Sequence, residues 1–268
     1  MENGNKYCET TSAEIALLMS NRNDQAPPTG GQRFAIFSLF LRPLIVVMAL
    51  ATTLPATADD FAKAKLAFNA KQYKTAVRLL RPPAEKGDPR AQYLLGYAYL
   101  SGKGVKISEK QAEYWLSKAV AQDYTPAYVR LGHLLMRIDK TPTSGLPLIE
   151  IALRRGHPGA QASLGLLYFI GRPGIPVDIE KSRKLLLLAA GQKYKGAYLF
   201  LAYWYASGRG KKPDYVQVLK WAIIDTRIGV GAAADIHRKK ALKLLSKEQI
   251  AEAKRRAAAW LKAHGEKP

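Results

Sequence analysis

Cysteine is nearly absent from this chain of 268 residues, which contains a single one, Cys8. One cysteine excludes an internal disulfide and any zinc site built from two or more thiolates. Histidine is scarce too, with four residues, and no pair of them has the spacing of a metal-binding helix such as H-E-x-x-H. The sequence therefore predicts no metal site and no cofactor.

The motifs of common catalytic machinery are missing as well. The sequence contains neither G-x-S-x-G nor S-x-x-K, which are the usual signatures of a serine nucleophile. We therefore expect no enzymatic activity. A hydrolase acting on the cell envelope is the alternative, and it would need Asp, Glu or His residues that the fold brings together in a pocket.

Acidic residues are few, since 21 Asp and Glu residues face 42 Lys and Arg residues and the net charge is +21. The first 58 residues hold four of each sign, so the excess lies in residues 59–268. This charge favours anionic partners such as lipopolysaccharide, acidic glycans, anionic lipids or acidic proteins, or else forms a solvated surface without a partner. Nucleic acid is not expected, because no base-reading motif is present. A candidate anion patch near the C-terminus comprises Arg238, Lys239, Lys240, Lys243, Arg255 and Arg256.

One short stretch of sequence recurs along the chain. It reads AQYLLGYAYLSG from Ala91, AQASLGLLYFIG from Ala160 and AYLFLAYWYASG from Ala197, with a weaker copy from Ala127. The four alanines are 36, 33 and 37 residues apart. A period of this length is typical of an array of stacked helical repeats.

Each copy predicts a helical hairpin. Ala91, Leu95 and Tyr99 form one apolar stripe on a first helix, and Ser108 is suited to cap the second. The first helices are predicted to end at a left-handed glycine, at Gly102, Gly171 and Gly208. Glycines that allow a neighbouring helix to approach closely are Gly96, Gly132 and Gly165. Turns between hairpins are expected at Gly87, Asp123, Gly156, Lys193 and Gly229.

Stacking such hairpins buries each apolar stripe against its neighbours. The sequence therefore predicts an all-α fold, a right-handed α/α superhelical solenoid of helix-turn-helix repeats. The expected helix pairs are about 60–86, 88–122, 124–155, 157–192 and 194–228. In the first pair we place Ala62, Leu66 and Phe68 on the first helix and expect Pro82-Pro83 to interrupt or end the second helix.

The repeat resembles the Sel-one-like repeat (SLR) family of bacterial secreted type, a relative of the tetratricopeptide repeats. Residues 91–119 fit its pattern nearly throughout, from the Ala-x-x-x-Leu-Gly segment to Trp115, Lys118 and Ala119. The copy from Ala127 departs from the pattern, with Leu135 in place of Tyr. The resemblance covers roughly residues 60–230 and implies a scaffold that binds proteins.

The two ends of the chain differ from the repeats. Arg33 and Arg42, the apolar run 43–54 and the sequence Ala56-Thr57-Ala58 have the layout of a secretory signal peptide cleaved after Ala58. The alternative is an uncleaved anchor in the inner membrane through residues 34–54, and Met19 is a second candidate start. The predicted organisation is a leader, a repeat solenoid and basic C-terminal capping helices, over residues 1–58, 59–230 and 231–268.

A binding groove is expected on the first helices, because residues that differ between copies carry the function while the shared ones stack helices. Tyr97, His133, Leu166 and Tyr203 occupy the same repeat position. His157 follows a turn glycine and is expected to face solvent. The candidate groove residues are Tyr93, Tyr97, Arg130, His133, Arg137, Ser163 and Tyr203.

These observations predict a periplasmic or secreted scaffold without catalysis. Its concave face would bind a protein or peptide, and an aromatic and basic surface suits an extended acidic or mixed sequence. The alternative is an envelope protein that binds polyanions through its basic C-terminal end.

Overall fold

The chain is described from a computed structural model, which covers residues 58–141, 144–209, 212–228 and 234–266. The predicted signal peptide and the alternative membrane segment 34–54 lie outside these residues. Twelve α-helices occupy the described part of the chain. They are α1 (Ala58–Asn69), α2 (Tyr73–Glu85), α3 (Pro89–Ser101), α4 (Glu109–Ala121), α5 (Thr125–Ile138), α6 (Leu146–Arg154), α7 (Pro158–Ile170), α8 (Ile179–Gly191), α9 (Lys195–Ser207), α10 (Tyr215–Ile228), α11 (Ala234–Leu244) and α12 (Lys247–Ala263).

The first ten helices form five consecutive hairpins, each stacked on the next. The first helices of the last four hairpins, α3, α5, α7 and α9, also contact one another in order. Helices α11 and α12 both pack against α10 at the C-terminal end of the stack. This arrangement confirms the predicted all-α solenoid of helix-turn-helix repeats.

Close helix contacts explain the recurring glycine of the first helices. A Cβ atom on Gly96 would lie 2.8 Å from Cγ of Leu116 on α4, and one on Gly165 would lie 2.9 Å from Cγ of Leu186 on α8. Both distances are too short for real side chains, so the two helices of a hairpin pack at a separation that only glycine permits. The prediction of close approach at these positions is confirmed.

The turns and caps follow the repeat with one exception. Gly102 and Gly208 end their helices in the left-handed conformation, as predicted, but Gly171 combines a φ of 76° with a ψ of 146°, which is a positive-φ conformation outside the left-handed helical region. A short bridge between Arg172 and Ile175 follows Gly171. The expected turn at Gly229 lies outside the described residues.

Positive φ angles mark the turns between hairpins. All four described turns contain a residue with a positive φ, at 101° for Gly87, 60° for Asp123, 71° for Gly156 and 59° for Lys193. Asp123 and Lys193 therefore carry side chains in a backbone conformation that favours glycine.

The first hairpin agrees with the sequence prediction in its first helix and departs from it in its second. Ala62, Leu66 and Phe68 lie on α1 as predicted, where the buried positions are Ala64 and Ala67 and Leu66 is 69% exposed. Helix α2 continues through Pro82 and Pro83 to Glu85. Each proline lacks the N–H that would bond to the carbonyl four residues earlier, and the helix ends two residues after Pro83.

The C-terminal helices close the stack with aromatic contacts. Ser246 and Gln249 form the predicted capping box at the start of α12. The ring of Trp260 on α12 lies 5.5 Å from Tyr198 and 5.7 Å from Trp221, between centroids. The last hairpin is thereby covered by α12. Within the described ranges, none of the helices has both the length and the apolar character that crossing a membrane requires.

Candidate functional site

A concave groove runs along the first helices. It encloses about 850 Å³ and is lined by side chains of α3, α5, α7 and α9 and of the turns that precede three of them. The structure places six of the seven candidate groove residues on this surface, namely Tyr93, Tyr97, Arg130, His133, Arg137 and Ser163. Tyr203, the seventh, is not among the lining residues. Its ring packs against Phe169 and His237, because α11 contacts α9 at this end of the solenoid.

Arg130 lies in the middle of the groove and is held by two tyrosines. Its Nε donates a hydrogen bond of 3.0 Å to the hydroxyl of Tyr93. The guanidinium carbon lies 4.1 Å from the ring centroid of Tyr97 and 5.7 Å from that of Tyr93. A planar guanidinium that stacks on aromatic rings loses rotational freedom and keeps its charge. The side chain is therefore fixed without an ion pair to a carboxylate of the described residues.

Tyr97 is itself fixed from the other side. The Nζ of Lys103 donates a hydrogen bond of 3.1 Å to its hydroxyl. The same ammonium group lies 4.8 Å from the Tyr97 ring and 5.1 Å from the Tyr73 ring. Hydrogen bonding to Tyr97 raises the pKa of Lys103, so its charge persists at physiological pH. The aromatic wall under Arg130 is thus held in place by contacts from α2 and from the turn after α3.

His133 lies one helical turn after Arg130 and touches the next repeat. Its Nε2 is 2.8 Å from Oγ of Ser163, and that hydroxyl donates to the carbonyl of Gly159 at 2.7 Å. Because Ser163 has one hydroxyl hydrogen and gives it to Gly159, Nε2 of His133 must be the donor in their contact. The walls of the groove desolvate the ring although it is open to water, which lowers its pKa, and the charge of Arg130 lowers the pKa further. His133 is therefore neutral at pH 7.

The rim of the groove carries a second arginine in a different state. Arg137 forms an ion pair of 2.9 Å with Glu109 at the start of α4. Its charge is therefore largely compensated before any ligand arrives. Arg130 and Arg137 belong to the same helix, and only the first presents a guanidinium free of a carboxylate within the described part of the chain.

Several lining residues were not predicted from the sequence. Tyr124, His157 and Tyr194 occupy the N-cap positions of α5, α7 and α9 and face the groove. His157 was expected to face solvent, but its Nδ1 accepts a hydrogen bond of 3.1 Å from the backbone N–H of Gly159. Partial burial lowers the pKa of His157, so the neutral ring that this cap requires is favoured. The recurrence of an aromatic ring before three successive first helices, α5, α7 and α9, was the available signal.

The candidate anion patch lies on α11 and α12, and carboxylates on the same helices neutralise much of it. Arg238 and Lys239 lie 3.4 Å and 3.5 Å from the carboxylate of Asp235. Arg255 and Arg256 lie 2.6 Å and 2.7 Å from that of Glu252.

The two remaining lysines of the patch are Lys240 and Lys243, which are exposed on α11. They share that helix with three exposed aliphatic side chains, Ile236 at 75%, Leu242 at 38% and Leu244 at 56%. Lys240 also lies 5.8 Å above the ring of Tyr215. This part of the patch is therefore a mixed surface of cations and aliphatic groups.

Metal chemistry finds no support in the geometry of the described residues. Across residues 58–266, apart from the short gaps noted above, no group of three or more His, Cys, Asp or Glu side chains is arranged to hold a metal ion. The histidines of the groove, His133 and His157, are engaged with Ser163 and Gly159.

Comparison with known sequences identifies the repeat. The Sel1 repeat matches residues 89–124, 158–194 and 196–223. These stretches cover the hairpins α3–α4, α7–α8 and most of α9–α10, and the weaker copy from Ala127 lies between the first two. The predicted resemblance is therefore confirmed. Repeats of this kind mediate protein–protein interaction, and the scaffolds that they form are typically non-catalytic.

Two curated proteins are similar to part of this chain. An uncharacterized protein of Neisseria meningitidis serogroup B is 32% identical over 115 residues, which are 43% of this chain and 23% of that protein. The chitin synthase regulator SKT5 of Saccharomyces cerevisiae is 32% identical over 110 residues, 40% of this chain and 16% of the regulator. The chain thus matches less than a quarter of either relative.

A protective antigen of uropathogenic Escherichia coli with an SLR fold superimposes with a TM-score of 0.60 at 25% identity. That superposition covers 70% of this chain and 41% of the antigen.

Proposed function

Because this chain is built from Sel1 repeats, we propose that it is an exported, non-catalytic scaffold that binds an extended segment of another protein in its concave groove. The observation that carries the proposal is the groove itself, about 850 Å³ of space walled by tyrosines and basic side chains of successive first helices. Aromatic and arginine side chains dominate the binding energy of most protein interfaces. A groove that crosses four hairpins suits an elongated ligand better than a compact one.

The charge of the groove favours an acidic segment. Arg130 and Arg137 line it, and no Asp or Glu is among the lining residues. Oppositely charged partners associate faster and exclude wrong partners by repulsion. We therefore propose that the partner segment contains acidic residues.

Site-specific crosslinking in cells tests the proposal. A photoreactive residue placed at Ser101, which lines the groove, is expected to capture a defined protein that mass spectrometry identifies. The matched control places the same residue at Leu188, which is 56% exposed on α8 and does not line the groove. Equal products from both positions, or none from Ser101, would count against groove binding.

Export is proposed from the leader, residues 1–58. Sequencing the N-terminus of the protein recovered from cells is expected to begin at Asp59. An intact leader in a membrane fraction would favour the alternative anchor through residues 34–54. The location of the protein would then be the inner membrane rather than the periplasm or medium.

A second candidate function is binding of an anionic envelope component at α11. The observation in its favour is the exposed surface of Lys240 and Lys243 beside Ile236 and Leu244. Cations between aliphatic side chains suit a surface that offers both charge and hydrocarbon. Retention on immobilised heparin that falls steeply with salt is expected, and retention insensitive to ionic strength would reject the candidate.

A further inference from the structure

The guanidinium group of Arg130 is the one feature of the groove that is prepared for a specific chemical group. Its Nε is occupied by Tyr93 at 3.0 Å, and its flat face lies 4.1 Å from the Tyr97 ring. The two terminal nitrogens make no hydrogen bond within the described residues. Arg130 lines the groove, so a carboxylate bound there can accept hydrogen bonds from both of these nitrogens.

We propose that Arg130 is the receptor for a single Asp or Glu side chain of an extended peptide in the groove, with the flanking peptide residues packed on the aromatic wall of Tyr93, Tyr97 and Tyr124. The terminal nitrogens of an arginine match the two oxygens of a carboxylate in a bidentate pair. This inference rests on the proposed function, since it names the partner chemistry of the same groove.

The groove favours a carboxylate over a phosphate group. Among the described residues that line the groove, Arg130 is the guanidinium without a carboxylate partner, because Arg137 is paired with Glu109, and the lowered pKa of His133 leaves its ring neutral. A phosphate monoester carries a charge of about −1.5 to −2 at neutral pH. The available charge therefore matches the single negative charge of a carboxylate.

The position of Arg130 favours an acidic side chain over a C-terminal carboxylate. Arg130 lies midway along α5, and the groove continues on that helix from Pro126 on one side to Arg137 on the other. A peptide that ended at Arg130 would leave half of the lining without contact. An internal acidic residue allows the chain to follow the groove in both directions.

Preorganisation makes the site selective. Tyr93 is fixed by an edge contact of 5.5 Å with Tyr124, and Tyr97 is fixed by the hydrogen bond from Lys103. A side chain that is already held in its binding geometry loses little entropy when the ligand arrives. The receptor should therefore distinguish Glu from Gln at one peptide position.

Peptide selection on the full-length chain is the first test. Random linear peptides displayed as internal segments on phage are selected against the wild type, Arg130→Met and Arg130→Glu. We expect an Asp or Glu at one fixed position for the wild type, loss of that preference for Arg130→Met, and Lys or Arg there for Arg130→Glu. Each variant is first compared with the wild type by circular dichroism and thermal unfolding, and Arg130→Lys serves as a milder variant that keeps the charge.

Binding of selected synthetic peptides measures the coupling. For the best peptide and its Glu→Gln counterpart, Arg130→Met should lower the affinity of the acidic peptide about tenfold or more and that of the Gln peptide about twofold or less. Arg183→Met is the control outside the groove and should change the affinity about twofold or less, because Arg183 is paired with Glu180 on α8 and does not line the groove. Peptides with an amidated and a free C-terminus should bind equally.

The results separate this inference from the proposed function. The role of Arg130 would be overturned, with groove binding left intact, if the selected peptides compete for the groove but share no acidic position. The same conclusion would follow if Arg130→Met lowered the affinities of the acidic peptide and its Gln counterpart equally. A requirement for a free C-terminus would also overturn it. Failure to select any peptide that competes for the groove would overturn both proposals.

Discussion

The groove and the C-terminal helices are both basic, but their cations are held in different ways. In the groove, Arg130 is fixed by the hydroxyl of Tyr93 and the ring of Tyr97, which leave its terminal nitrogens open. On α12, Arg255 and Arg256 share the carboxylate of Glu252 at 2.6 Å and 2.7 Å. Aromatic support preserves a charge for a ligand, whereas a carboxylate on the same helix neutralises it.

The net charge of the chain therefore does not show where an anion binds. The C-terminal region has the higher density of Lys and Arg, yet several of its cations already have partners. The groove has fewer cations and no lining carboxylate. Substitutions can therefore alter either the support of the groove or the pairing at the C-terminal end, and we expect the larger effects at the groove.

The largest effect is expected from moving the helix that carries Arg130. A Cβ atom on Gly145 would collide with the backbone carbonyl of Gly132 on α5, which cannot move independently. Gly145→Ala should therefore separate α5 from α6 and lower the free energy of unfolding by about 2–3 kcal/mol. Thermal unfolding measures the loss, and peptide binding in the groove should fall with it.

The control for that substitution is Gly191→Ala at the end of α8. A Cβ atom there meets nothing within 4 Å. Alanine is the better helix former, so the free energy of unfolding should stay constant or rise by up to about 1 kcal/mol. Similar losses in both variants would mean that the contact between Gly132 and Gly145 does not hold the groove together.

The second effect comes from the support of Arg130 alone. Tyr93→Phe removes the hydroxyl that accepts the hydrogen bond from Nε but keeps the ring. We expect the affinity for an acidic peptide to fall about fivefold, in line with the loss of about 1 kcal/mol for one hydrogen bond. Thermal stability should change little. Heparin retention through the C-terminal helices should not change, and a parallel fall in both would contradict the separation of the two surfaces.

The fold could be predicted from the sequence because its determinants are local and repeated. Gly96 and Leu116 meet within one hairpin, and the same pair recurs as Gly165 and Leu186. Because the same spacing recurs in several copies, the sequence indicates this contact more than once. The ion pairs of Asp235 and Glu252 were also readable, since their partners lie three or four residues away on the same helix.

The candidate site could be predicted only in part, because it depends on how successive hairpins are placed. Arg130 and Tyr93 are 37 residues apart and meet across two repeats. Tyr203 has the same repeat position as Tyr97, but α11 contacts α9 there and gives its ring other neighbours. Equivalence of position therefore predicts equivalent surroundings only in the interior of the array. At the C-terminal end of the array, the neighbours of a residue also depend on helices outside the repeat.

The third effect is a dependence of the groove wall on pH. His157 caps α7 through an unprotonated Nδ1, and burial lowers its pKa below its ordinary value of 6.5. The unfolded chain therefore binds the proton more readily than the folded chain, so stability is complete above pH 6.5 and falls as the pH decreases through the folded pKa. The loss should approach about 1 kcal/mol, the usual contribution of an N-cap.

Thermal unfolding of the wild type and of His157→Asn between pH 7.5 and pH 5 checks this dependence. Asparagine is a good N-cap and does not titrate, so the variant should lose less stability on acidification. His133 also has a lowered pKa and lines the same groove, so part of the dependence should remain in the variant. An identical pH dependence in both proteins would show that the cap at His157 is not the titrating contact.

The smallest effect is expected at the C-terminal helices, where a substitution can release paired arginines. Glu252→Gln frees Arg255 and Arg256, and Glu248→Gln removes the same charge from a carboxylate that binds the hydroxyl of Ser246 instead. Both variants gain one unit of net charge, so any difference between them reports the released guanidinium groups. We expect Glu252→Gln to elute from heparin at slightly higher salt than Glu248→Gln, with little change in the affinity of the groove for an acidic peptide. Equal elution would mean that net charge alone sets anion binding and that ion pairing on α12 has no effect on it. The two basic surfaces would then differ in shape but not in the availability of their cations.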